Sequence, residues 1–86
     1  MRVSWQDLRA VCLYLGCRDS RTRGDHLVMT RPGLARPVVI KMDRDLGEDI
    51  IGSNMQTLGL TKKEFLEALA HVRRRGKKAK RKTRKR

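Results

Sequence analysis

The chain has 86 residues, which is enough for one small domain and excludes a second one. Its 22 Lys and Arg residues outnumber its 9 Asp and Glu residues, so the net charge is +13 at pH 7. No apolar run is long enough for a signal peptide or a membrane span, and the sequence therefore predicts a cytoplasmic protein without a membrane partner.

The positive charge is concentrated at the C-terminal end. Eleven of the 22 Lys and Arg residues, and no acidic residue, lie in residues 73–86. The predicted organisation is a nearly neutral domain over residues 1–72, followed by a disordered basic tail over residues 73–86. Such a tail attracts any polyanion in a salt-dependent way, because binding releases counterions. No apolar anchor accompanies the charges, so nucleic acid, and RNA more than DNA, is favoured over an anionic membrane or a merely solvated tail.

Residues 4–15 carry the pattern of an amphipathic helix. Ser4 is a candidate N-cap, Asp7 follows it by three residues, and Gly16 suits a left-handed helix end. Apolar side chains recur at helical spacing at Leu8, Val11, Cys12 and Leu15. The polar segment that follows, residues 17–23, is predicted to be extended only because it precedes a clear strand.

Residues 26–30 and 38–42 are rich in apolar and β-branched side chains and predict two strands of an antiparallel hairpin. Between them, Pro32-Gly33 suits a type II turn. A helix that ends at Gly59 is predicted next from the helical spacing of Ile50, Ile51, Met55 and Leu58.

A last, short helix begins with a capping box at residues 61–64 and is predicted to bury Phe65, Leu66 and Leu69. The order of helix, two or three strands, helix and helix predicts an α+β fold. In this fold a small antiparallel sheet packs with the helices on one face.

The cysteines are predicted to be reduced and structural, because both lie in or beside segments with a buried pattern. Cys12 and Cys17 together with His26 and His71 fit no zinc-site spacing, so neither a metal nor a cofactor is expected. The aromatic side chains are expected to be core or half-buried, since all of them lie at helix positions: Trp5, Tyr14 and Phe65.

Residues 21–26, Arg-Thr-Arg-Gly-Asp-His, place two arginines, a glycine and a histidine next to each other where a strand begins. Glycine permits a positive φ or a close backbone approach, and histidine titrates near neutral pH. His26 can therefore face a phosphate held by Arg21 and Arg23. A histidine at a strand end is more often a solvated surface group, and the residues alone leave both interpretations open.

Four stretches, taken in order, resemble the HicA family of mRNA-cleaving toxins from bacterial toxin-antitoxin pairs. They are residues 24–29 (GDHLVM), 38–40 (VVI), 47–60 (ending in LGL) and 61–66 (TKKEFL). The resemblance covers roughly residues 4–70. It implies a fold like a double-stranded-RNA-binding domain, with a three-stranded antiparallel sheet and helices on one face.

The resemblance also implies a metal-independent endoribonuclease that cleaves mRNA, with His26 as general acid and base and with Gly24 and Asp25 in support. His26 would take the proton from a ribose 2′-hydroxyl that attacks the adjacent phosphate, so DNA would be spared. The residues expected to bind RNA are all basic: Arg21, Arg23, Lys41, Arg73, Arg74, Arg75, Lys77 and Lys78. The implied protein partner is a HicB-type antitoxin that covers His26.

The sequence departs from the family pattern at several positions. Asp25 stands where the family usually has serine, and Asp43 stands near the place of a second histidine. Glu48 and Asp49 replace basic residues at the start of the following helix. The changes at Asp25 and Asp43 favour a second hypothesis, a catalytically inactive RNA- or DNA-binding module. A third hypothesis is a structural protein of a ribonucleoprotein or virion.

Overall fold

The computed structural model describes the backbone of residues 3–85 and the side chains of residues 3–75. The elements follow in the order α1 (Trp5–Tyr14), β1 (Arg18–Arg23), β2 (His26–Thr30), β3 (Val38–Lys41), α2 (Glu48–Leu58) and α3 (Lys62–Lys85). The strands form one antiparallel sheet in the order β1-β2-β3. The predicted α+β fold class is confirmed, including the weakly indicated first strand.

Local hydrogen bonds set the helix ends that the sequence predicted. At α1 the Asp7 N–H donates to Ser4 Oγ at 3.2 Å, and the Ser4 N–H donates to Asp7 Oδ2 at 3.3 Å. Thr61 and Glu64 make the same reciprocal pair before α3, at 2.8 and 3.1 Å. Gly59 ends α2 with a φ of +73°, which glycine adopts without strain. Each cap of this kind typically stabilises a helix by about 1 kcal/mol.

The core lies between the helices and the inner face of the sheet. Alternate residues of β2 and β3 are buried and form this inner face: Leu27, Met29, Val38 and Ile40. The helices cover it with fully buried side chains, among them Leu8, Val11, Cys12 and Phe65. The opposite, outer face of the sheet carries His26 and stays exposed.

Both cysteines are buried and free, as the sequence predicted. Burial raises the pKa of the Cys12 thiol to about 12 and also raises the pKa of Cys17. Since the thiolate is the reactive form, these two residues behave as small core hydrophobes.

Two predictions of burial are wrong. Leu66 was expected in the core but is 39% exposed, because the buried stripe of α3 runs through Phe65 and Leu69 and leaves Leu66 about 100° away from Phe65. Tyr14 was expected to be core or half-buried but is 52% exposed. Its ring stacks on His71 of α3, with the ring centroids 4.4 Å apart.

The last helix is longer than predicted. The sequence predicted a short last helix, whereas α3 spans Lys62–Lys85. The disorder predicted for the tail beyond Arg75 stays a prediction. Lys, Arg and Ala all favour the helix. Arg73 Nη2 donates to Asp7 Oδ2 at 2.9 Å, which ties α3 to the start of α1. Arg73 therefore belongs to the folded body, and the side chains beyond residue 75 lie outside the described residues.

The contact between Asp7 and Arg73 predicts a loss of stability in acid. Partial burial acts to raise the pKa of Asp7, but hydrogen bonds from Arg73 and Ser4 outweigh burial and hold this pKa below its usual value. A carboxyl with a lowered pKa stabilises the fold above its unfolded pKa, and this contribution is lost as the pH falls through the folded pKa. We expect the urea midpoint to fall as the pH drops below about 4.

The measurement is a urea titration followed by circular dichroism, at neutral pH and at successive acid values. Asp7→Asn should lower the midpoint at neutral pH and make it less dependent on acid. Glu67→Gln, on an exposed position of α3, should reproduce the parent curve. Equal acid dependence in Asp7→Asn and the parent protein would contradict the role given to Asp7.

Candidate nucleic-acid interface

The outer face of the sheet brings together the residues that the sequence singled out. The strand registers pair Arg23 with His26 and His26 with Lys41, so these three residues form one row across the sheet. The adjacent row consists of Arg21, Val28 and Val39. Three of the predicted RNA-binding residues therefore share one face with the predicted catalytic histidine.

A β-bulge at Ser20 puts Asp19 and Arg21 on opposite faces of the sheet, so that Arg21 and Arg23 lie on this outer face without Asp19. The register shifts between Asp19 and Arg21, so Asp19 pairs with the buried, inward-facing Met29 while Arg21 faces outward. Without the extra residue Asp19 and Arg21 would share a face, because strand side chains alternate. Asp19, on the helix side, accepts two hydrogen bonds from Arg9 of α1, at 3.1 and 2.8 Å.

His26 is exposed at the start of β2, and its imidazole lies against Asp25. Gly24 and Asp25 form the two-residue turn before β2, and Gly24 has a φ of +57°, which suits glycine at this turn position. Asp25 is thus outside the strand, and its Oδ1 lies 3.0 Å from His26 Nδ1. The Asp25 carbonyl accepts a hydrogen bond from the Met42 N–H at 2.8 Å, which holds the turn beside the end of β3. A carboxylate at Nδ1 favours the tautomer protonated there and leaves Nε2 available as a base.

Two shallow hollows meet at His26. The arginine hollow has a volume of about 320 Å³ and is lined by Arg21, Arg23, His26, Val28, Pro37 and Val39. The α2 hollow has a volume of about 290 Å³, lies between β3 and α2, and is lined by His26, Val39, Lys41, Asp49, Ile50, Ser53 and Asn54. Among the residues whose side chains are described, the lining of the arginine hollow includes no acidic side chain, whereas that of the α2 hollow includes one lysine and one aspartate. The imidazole is the polar group that borders both hollows.

Lys41 is less free to bind an anion than the arginines of β1. Its Nζ lies 3.7 Å from Asp43 Oδ2. Asp43 is fixed just after β3, because its N–H donates to the Lys41 carbonyl at 2.8 Å and its own carbonyl accepts from the Trp5 N–H at 2.9 Å. The stronger positive potential on this face is therefore on the side of the arginine hollow.

The other residues predicted to bind RNA lie on α3. Arg74 and Arg75 are exposed there, and they line neither hollow. Arg73 is engaged with α1. The side chains of Lys77 and Lys78 lie outside the described residues. The structure thus brings Arg21, Arg23 and Lys41 to the His26 face and does not bring Arg73, Arg74 or Arg75 there.

Comparison with known proteins adds no relative. No family model, curated protein or solved structure matches this chain. Among the described residues, no helix is long and apolar enough to cross a membrane. In the same part of the chain, no three His, Cys, Asp or Glu side chains are grouped so that they can hold a metal ion. The resemblance to the HicA family stays a prediction.

Asn54 is a residue of the α2 hollow that the sequence reasoning missed. It is 5% exposed, and its Nδ2 has no hydrogen-bond partner in the part of the chain that the structure describes. The signal was present in the sequence, because one asparagine interrupts the apolar spacing of α2 at Ile51, Asn54, Met55 and Leu58. A polar residue on a core-facing stripe indicates either a structural hydrogen bond or a ligand.

Proposed function

We propose that this chain is an endoribonuclease that cleaves mRNA and that His26 is its catalytic residue. The observation that carries the proposal is the row of Arg23, His26 and Lys41, together with the Asp25 carboxylate 3.0 Å from His26 Nδ1. An exposed imidazole with one nitrogen beside a carboxylate, and with cationic side chains on either side, suits proton transfer next to a phosphate.

The proposed reaction is an attack of the RNA on its own backbone. His26 Nε2 takes the proton of a ribose 2′-hydroxyl, and the 2′-oxygen attacks the adjacent phosphorus. The bond from phosphorus to the 5′-oxygen breaks, and that oxygen takes the proton back from His26 Nε2, so the products carry a 2′,3′-cyclic phosphate and a 5′-hydroxyl and the imidazole is neutral again. Arg21 and Arg23 stabilise the charge that develops on the phosphate. Neither a metal nor a cofactor has a part in this step.

The biological setting follows from the resemblance to HicA-type toxins. We assign the protein to the cytoplasm as the toxin of a type II toxin-antitoxin system, with a HicB-type antitoxin as its protein partner. The antitoxin would block cleavage by covering the outer face of the sheet. Val39, which is 46% exposed beside His26, gives that face an apolar centre with a polar rim, an arrangement typical of protein interfaces.

The test compares an RNA strand with a DNA strand of the same sequence, incubated with the full chain in the presence of a chelator. We expect the RNA to be cut and the DNA to stay intact, because only RNA carries the attacking hydroxyl. Mass spectrometry of the fragments should find 2′,3′-cyclic phosphate ends. Cleavage of the DNA strand, or RNA fragments with other ends, would exclude the proposed reaction.

A second candidate function is a catalytically inactive module that binds RNA or DNA. The acidic groups at the site favour it, since Asp49 lines the α2 hollow and Asp43 lies 3.7 Å from Lys41 Nζ. Both carboxylates lower the positive potential beside His26. Under this alternative, the RNA strand and the DNA strand both bind to the chain, and both stay uncut in the same assay.

A further inference from the structure

Asn54 is a polar side chain in a place where the packing suits an apolar one. Its neighbours on the same stripe of α2, Ile51 and Leu58, are buried in the core. Its Nδ2 is buried without a hydrogen-bond partner among the described residues. A buried donor without an acceptor destabilises a fold, so a ligand that supplies the acceptor gains the full value of the bond.

The two hollows beside His26 differ in charge, so they suit different parts of a nucleotide. The arginine hollow offers Arg21 and Arg23, and its described lining contains no acidic side chain, which suits a phosphate. The α2 hollow combines the apolar Val39 and Ile50 with one positive and one negative side chain, so it suits a neutral group. Unstacked RNA bases are bound in this way, between side chains and with hydrogen bonds to their edges. The volume of the α2 hollow, about 290 Å³, is just below the usual range of small-molecule sites, which begins at about 300 Å³.

We propose that the α2 hollow holds the base of the nucleotide whose 2′-hydroxyl His26 activates. Asn54 lines this hollow, but its Nδ2 is closed to solvent in the free protein, so the amide turns toward the bound base and donates a hydrogen bond to its edge. His26 borders both hollows, so a base in one and a phosphate in the other place the ribose beside the imidazole. Asn54 is a residue of binding and specificity in this arrangement. The inference rests on the proposed function, because it takes RNA as the ligand of this face.

The experiment measures binding apart from cleavage. The probes are two labelled octanucleotides: a mixed-sequence RNA with 2′-fluoro in place of every 2′-hydroxyl, and an octamer with an abasic tetrahydrofuran sugar at every position. Fluorescence anisotropy gives the Kd of the full chain for each of them. Asn54→Leu and Asn54→Ala remove the donor, and Gln56→Leu makes the matched change from amide to leucine at an exposed position of α2.

We expect both Asn54 variants to bind the base-containing octamer about three- to tenfold more weakly than the parent protein, which is the usual worth of one hydrogen bond. Their binding to the abasic octamer should change less than about twofold, and Gln56→Leu should match the parent on both probes. Asn54→Leu should also raise Tm by about 4 °C or more, because it removes an unpartnered buried donor.

Equal losses on the two octamers, or no loss on either, would overturn the proposal. A fall in Tm for Asn54→Leu, together with equal losses, would assign Asn54 a structural role instead. The outcome also separates this inference from the proposed function. If the base-dependent loss is found while RNA stays uncut in the cleavage assay, the base site stands and the endoribonuclease activity fails.

Discussion

Replacing His26 with alanine is expected to lower the rate of RNA cleavage by about 10²–10⁴-fold, the usual contribution of a general acid or base. The imidazole is 48% exposed and lies outside the core, so the free energy of unfolding should change by less than about 0.5 kcal/mol. Single-turnover rates on a labelled RNA measure the first effect, and urea denaturation measures the second. On induced expression in bacteria, the parent protein should arrest growth and His26→Ala should not.

The other histidine provides the matched control. His71 lies on α3 and stacks on Tyr14, and it lines neither hollow. His71→Ala should therefore keep the parent rate.

Asp25→Asn should give an intermediate rate, because it removes the carboxylate charge from His26 Nδ1 and leaves the imidazole in place. Equal cleavage, or equal toxicity, from the parent protein and His26→Ala would rule out His26 as the catalytic residue.

Replacing Phe65 with alanine is expected to lower the free energy of unfolding by about 3–5 kcal/mol. Its side chain is fully buried in the first turn of α3, where it belongs to the core between the helices and the sheet. Domains of this size typically have about 5–15 kcal/mol of total stability, so the variant should retain a small part of it. Urea denaturation at neutral pH gives the difference directly.

Leu66 offers the control for this prediction, because it is the next residue along the chain and is 39% exposed. Leu66→Ala should cost less than about 1 kcal/mol, since it leaves no cavity in the core. A similar cost for the two substitutions would mean that the packed face of α3 is not the one that the structure describes.

The fold was predictable where the apolar pattern was strong. The strand over residues 26–30 matches β2, and the capping boxes and Gly59 mark helix ends as expected. β1 was only weakly indicated, because its six residues are all polar and exposed and pairing with β2 holds it in place. The burial of Leu66 was predicted wrongly, since two adjacent apolar residues do not reveal which of them faces the core.

The candidate site was predictable in part. The sequence indicated His26 and the basic residues Arg21, Arg23 and Lys41, and the registers place all four on one face. It did not predict the approach of Asp25 to the imidazole, which depends on the tight turn before β2. Asn54 also required the structure, because only the packing of α2 beside β3 makes it part of the same hollow as His26.

The bulge at Ser20 makes the charge of this surface depend on the length of β1 as well as on its composition. Exchanging one basic residue of the strand for another alters a single side chain. The turn at Gly24 and Asp25 keeps Arg23 opposite His26, so losing Ser20 would turn Asp19 to the outer face and place a carboxylate beside Arg21. In comparisons between related chains, insertions and deletions in β1 should therefore distinguish phosphate-binding members from the others better than the identity of the basic residues does.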